Sequence, residues 1–126
     1  MPMPLSVAPK HLFEPNPLAC GQAVLAMLSD TAVEDIIALV KTERETTLKD
    51  MFSALDALGI GYMGERRQAF TKEDLPEICI LSLETPKCWH WSLYFRGQFF
   101  DPEYGLLSDF PPSARRYYFE IKESTR

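Results

Sequence analysis

At 126 residues and 14.4 kDa, the chain has room for one hydrophobic core and none for a second catalytic domain. Hydrophobic residues make up 46% and charged residues 25%, proportions that exclude a disordered or fibrous chain. Eighteen acidic against thirteen basic residues leave a net charge of −5, the wrong sign for nonspecific grip on a phosphate backbone, so no nucleic acid partner is expected.

No apolar run approaches the roughly 18 residues that span a bilayer, and Met1 to Pro9 lacks the basic start and apolar centre of an export signal. No membrane association is expected. Cys20, Cys79 and Cys88 form an odd set without framework spacing, which favours a reducing, cytoplasmic setting over a disulfide-stapled secreted module.

Five of the ten prolines, Pro2, Pro4, Pro9, Pro15 and Pro17, precede Cys20. Proline removes amide donors and favours extended backbone, so residues 1–16 are predicted to form an extended arm. A helix is expected from Cys20, with Val24, Met27 and Leu28 at helical spacing. Thr31-Ala32-Val33-Glu34 has capping-box spacing for a second helix, on which Val33, Ile36, Ile37 and Val40 repeat. A third starts near Thr46 or Thr47, carries Leu48, Met51, Phe52, Leu55 and Leu58, and stops at Gly59. Strands follow at Tyr62-Met63, Ile78 to Leu81, Trp89 to Phe95, Gln98 to Phe100 and Tyr117 to Ile121, where β-branched and aromatic residues alternate with short turns. Helices first and antiparallel strands second predict a single α+β domain over 1–126, one helical layer against one sheet.

Sulfur nucleophiles need a thiolate, an imidazole beside it and a polar group that orients the imidazole. Cys20 is placed at a helix start, where the macrodipole and unpaired amides favour a thiolate; the bland alternative is a small buried core residue. Of two histidines, His11 lies in the arm with nothing in the sequence to fix it against a sheet. His90 lies in Trp89-His90-Trp91-Ser92-Leu93-Tyr94-Phe95, whose odd positions are large and apolar, so alternation turns His90 away from the core toward an opening or solvent. Arg96-Gly97 fits a two-residue hairpin turn, which pairs positions whose numbers sum to 193. Asp101 then opposes Ser92 and shares the face of His90, one diagonal step away, while Pro102 ends the pairing. In isolation Asp-Pro is more simply a turn.

The stretches Cys20-Gly21-Gln22-Ala23-Val24-Leu25-Ala26-Met27, Thr47-Leu48 to Leu58-Gly59, Asp74-Leu75-Pro76, His90-Trp91-Ser92-Leu93 and Phe100-Asp101-Pro102-Glu103-Tyr104-Gly105 carry a resemblance. In order and separation the chain resembles, over Asn16 to Gly105, the papain-like cysteine peptidases that process bacteriocin leaders after a double glycine, and their stand-alone relatives. The resemblance implies a papain-like fold with nucleophile Cys20, base His90 and orienting Asp101, acting on a peptide or protein substrate. The family usually places a glutamine six residues before the cysteine as an oxyanion donor. Here that position is Glu14. Asn16, four residues before Cys20, is the expected replacement donor beside the Cys20 amide, with Gln22 a second possibility inside the helix.

Metal binding is the competing chemistry, since Cys20, Cys79, Cys88 and His90 are zinc-type ligands. Their spacing is poor: Cys79 and Cys88 stand nine apart and Cys79 lies between Ile78 and Ile80, so no metal or other cofactor is expected. Arg66-Arg67 is read as a solvated pair and Tyr117-Tyr118-Phe119 as part of a final strand. Two functions remain: a cysteine peptidase, or a catalytically silent papain-like module that binds a peptide or protein.

Overall fold

The computed structural model describes residues 8–122. Residues 1–7 and 123–126 of the expected domain, including Pro2 and Pro4 of the arm, lie outside the described residues. Three helices, α1 (Cys20–Ser29), α2 (Val33–Val40) and α3 (Leu48–Leu58), precede seven strands. The strands are β1 (Gly61–Tyr62), β2 (Arg67–Gln68), β3 (Ile78–Glu84), β4 (Trp89–Phe95), β5 (Gln98–Asp101), β6 (Gly105–Leu107) and β7 (Arg116–Lys122). The sheet runs in the order β1-β7-β3-β4-β5-β6, every pairing antiparallel, with β2 also on β7. This is the α+β arrangement the sequence pattern implies. Among the described residues no helix is long and apolar enough to cross a membrane.

α1 is apolar around its whole circumference, and nine of its ten residues are buried. Such a helix cannot lie at the surface. It packs between α2, α3 and β4, with Val24, Leu25, Met27 and Leu28 meeting Ile36, Met51, Leu55, Ile80, Leu93, Phe95 and Phe119 in the main core. Gly21 makes the approach possible, because a Cβ there would run into Thr46 Oγ1, Met51 Sδ and Trp91 Cδ1. α3 starts as its sequence suggests: Thr47 Oγ1 accepts from Asp50 N at 3.1 Å, Asp50 returns the bond to Thr47 N at 3.0 Å, and Gly59 closes the helix in the left-handed region at φ 73°. The box expected at Thr31 and Glu34 does not form. α2 begins one residue later on Ala32 without a side-chain cap, because the Thr31 hydroxyl pairs with Ser29 Oγ at 2.8 Å.

One helical layer is not all that covers the sheet. On the face away from the main core, Ala69, Cys79, Leu81, Leu83, Tyr94, Phe99 and Tyr118 form a second buried cluster, roofed by Leu75, Leu107 and Phe110 from connecting segments. Short segments unmarked by hydrophobic pattern, β2, β6 and a 3-10 turn at Lys72–Asp74, frame this roof. Both faces of β3 and β4 are therefore largely buried away from the Trp89 end, although the helices cover only one.

Candidate active site

The β4–β5 hairpin turns through Arg96 and Gly97 at φ 46° and 96°, the positive values of a tight two-residue connection. It fixes the register Phe95↔Gln98, Tyr94↔Phe99 and Leu93↔Phe100, so that the numbers sum to 193 as expected. Extending that register by one step sets Asp101 beside Ser92, whose Oγ–H donates to Asp101 Oδ2 at 2.7 Å. His90 Nε2 lies 3.1 Å from each oxygen of the same carboxylate. The amides of Glu103 and Tyr104 donate to Oδ1 at 2.8 and 2.9 Å, in the turn that Pro102 begins. Asp101 is completely buried, yet its carboxylate is saturated with donors.

The ladder stops after Asp101, and two groups that would have continued it find other partners. The residue-102 carbonyl accepts from Glu14 N of the arm at 2.8 Å. Trp91 N–H, left facing the vacated edge, donates to Cys20 Sγ at 3.4 Å. The start of α1 thus enters the gap where β4 and β5 part. With Nε2 committed to Asp101, Nδ1 is the ring nitrogen left to face Cys20, whose sulfur takes the amide of neighbouring Trp91 and whose interaction with the imidazole helps raise the ring's pKa. Cys20, His90 and Asp101, separated by 70 and 11 positions in the chain, are thereby brought together, the imidazole bound to the carboxylate and sharing a cleft with the thiol.

His90 is 4% exposed and borders two clefts, so of the expected opening or solvent it meets the opening and not free solvent. Alternation does set it on the face opposite Trp91 and Leu93, but the second apolar cluster and the arm close over that face. Burial by itself pushes the imidazole pKa down; the hydrogen bonds and negative charge of Asp101 and Cys20 outweigh it and lift the value to about 10. Burial raises the Asp101 carboxyl, and the charged His90, the backbone amide of Tyr104 and Ser92 more than reverse it, holding the group below the ordinary 3.8. Each partner's shift favours the charged form of the other.

The arm is docked, against the expectation that nothing fixes His11. His11 Nε2–H donates to the Asp101 carbonyl at 2.7 Å and its ring meets Phe13 edge-on, so the arm lies along the β5–β6 turn. Asn16 does not aim its amide at the thiol. Its Nδ2 donates to the Glu43 carbonyl at 3.2 Å and its Oδ1 accepts from Leu18 N at 2.8 Å, an Asx turn that leads into α1. Gln22 is fully buried and spends both amide hydrogens on the carbonyls of Thr42 and Arg44, each at 2.8 Å. Glu14 has a buried Oε1 with no hydrogen-bond partner, as does Gln22 on its own Oε1.

Two clefts meet at His90. One of about 250 Å³ is bounded by Cys20, Thr46, Trp89 and Trp91; the other, of about 540 Å³, by Glu14, Asn16, Lys87, Glu103 and Tyr104. Pro17, Cys88 and His90 border both. The zinc-type residues are not gathered: Cys79 is sealed in the second cluster with its thiol pushed well up by burial, Cys88 is exposed, and among the described residues no group of three or more His, Cys, Asp or Glu could hold a metal ion. Arg67 pairs with Glu65 at 3.0 Å and Arg66 lies over the Tyr117 ring, away from this site.

Among known proteins, no family model and no curated protein matches the chain.

Proposed function

We propose that this chain is a papain-like cysteine peptidase, a thiol hydrolase of peptide amides, with Cys20 as nucleophile, His90 as acid and base, and Asp101 orienting the imidazole. The observation that carries this reading is the buried imidazole bound to a fully buried, donor-saturated carboxylate and lining one cleft with the Cys20 sulfur. A buried charge pair of this kind costs desolvation energy that an apolar pair would not. The start of α1 supports the same role, since it has no side-chain cap and its first amides lack intrahelical acceptors.

The chemistry balances with one water. The Cys20 thiolate attacks the carbonyl carbon, and the π pair moves to oxygen. Collapse of that oxyanion expels the amine, which takes the proton from the His90 imidazolium, leaving a thioester. Neutral His90 then removes a proton from water as it attacks the thioester. The second collapse releases the carboxylic acid and restores the thiolate and imidazolium. The paired clefts, open on either side of His90, suit an extended segment of peptide with its cut near the shared border.

A fluorogenic peptide with Gly-Gly before the cut, the substrate class the family resemblance implies, tests this directly. The protein should cleave it with transient acylation of Cys20 visible by intact mass, and Cys20→Ala should abolish both while keeping the far-UV spectrum. Cleavage that survives in Cys20→Ala would refute the reading. A silent peptide-binding module would bind such peptides without acylation.

A further inference from the structure

We propose that Glu14 works in this site as a neutral carboxylic acid, donating its O–H to the substrate carbonyl oxygen as Cys20 adds to the carbon. The inference rests on the thiol hydrolase reading above and adds to it a catalytic donor and a built-in pH limit. The placement comes from the backbone: Glu14 N–H is fixed to the Pro102 carbonyl at 2.8 Å, next to Asp101, and the side chain borders the cleft that shares His90 with the cleft of Cys20. Its Oε1 is buried and unpartnered. A carboxylate in that position would carry a partly desolvated charge with one oxygen lacking a donor, whereas the neutral acid can turn its hydroxyl from the half-buried side chain toward whatever enters the cleft.

The groups around it favour the acid. Burial is the largest influence and raises the carboxyl pKa; His90, from β4, lowers it; Glu103 and Asp101, from the turn and end of β5, raise it again, and the result is pushed up to about 7. The Tyr104 phenol feels the same carboxyl, and Lys87 lines the far side of the cleft. On the arm itself His11 is turned to the Asp101 carbonyl. The two amide side chains nearby, Asn16 and Gln22, have their donors engaged elsewhere.

The step leaves the stoichiometry of the reaction unchanged. The sulfur–carbon bond forms, the π pair goes to oxygen, and that oxygen accepts a hydrogen bond from Glu14, which keeps its proton; collapse returns the pair and frees the donor. Ionised Glu14 would instead repel the oxyanion, so stabilisation should fade as pH rises through about 7 while the His90 imidazolium persists toward about 10.

N-acetyl-glycyl-glycinal, an aldehyde that adds to the Cys20 sulfur and places its oxygen where the oxyanion would form, tests this without turnover. Its dissociation constant should rise roughly thirtyfold between pH 6 and 8.5, following the loss of the neutral acid. In Glu14→Gln, whose amide donates at every pH, no such rise should occur, and Glu14→Ala should bind weakly throughout. Parallel pH profiles for the native protein and Glu14→Gln would overturn the proposal. So would failure of the aldehyde to bind either protein while iodoacetamide still alkylates Cys20 in a His90-dependent way. Loss of that His90 dependence would instead break the underlying hydrolase reading, which separates the two failures.

Discussion

Asp101 is the residue on which the site's electrostatics turn, since it holds His90 Nε2 and is itself held by Ser92 and two backbone amides. Asp101→Asn keeps the shape and removes the charge, so the His90 pKa should fall from about 10 toward or below the ordinary 6.5, as a carbon-13 histidine titration would record. Peptide cleavage should drop about a hundredfold or more. The sign of the stability effect follows: a folded value above the unfolded one makes the His90 contribution complete below about 6.5 and lost as pH rises through about 10. Asp101, held below 3.8, contributes above that value and loses its contribution as pH falls through the lower folded one. Denaturation of the native protein should thus show a gain over Asp101→Asn at pH 6 that shrinks toward both extremes; a gain independent of pH would contradict the coupling. These residues were legible because a two-residue turn and strand alternation are local rules. The docking of His11 and Glu14 was not, since their partners lie about ninety positions away and no nearby residue signals them. Asn16 misled because closeness to Cys20 in sequence says nothing of where its amide points, although Asn-Pro-Leu carries the signal of the Asx turn that claims its oxygen.

At the scale of elements, the apolar circumference of α1 and the cap of α3 can be read from composition and spacing, because each depends on residues within one or two turns. The second apolar cluster could not, since Cys79, Leu81 and Leu83 of β3 meet only one residue each from β4, β5 and β7 under connecting loops. The same limit explains the burial of His90. α1 carries Cys20 into the gap between β4 and β5 only because Gly21 admits Thr46 and Trp91 at close range, and Trp91 Nε1 in turn ties the Thr46 carbonyl at 3.2 Å. Gly21→Ala should therefore cost about 1–3 kcal/mol by overpacking, despite the higher helix propensity of alanine. It should also slow acylation of Cys20 in the fraction that remains folded. A stability gain measured by urea unfolding would show that α1 has room to shift, and the account of its placement would fail.

For the whole molecule, α1 supplies the Cys20 thiol, the hairpin supplies the His90 imidazole and the Asp101 carboxylate, and the arm lies across the site from another side. The central claim is that Cys20 and His90 form a charged, reactive pair, and the other cysteines make the test internal to the protein: Cys79 is sealed in the core and Cys88 is exposed. The direct measurement is the rate of iodoacetamide alkylation at each cysteine at pH 5.5, resolved by peptide mass, where an ordinary thiol of pKa about 8.5 is almost wholly protonated. Cys20, only 7% exposed, should nevertheless react at least tenfold faster than Cys88, and His90→Ala should remove that advantage. Faster reaction at Cys88, or an unchanged Cys20 rate in His90→Ala, would contradict it.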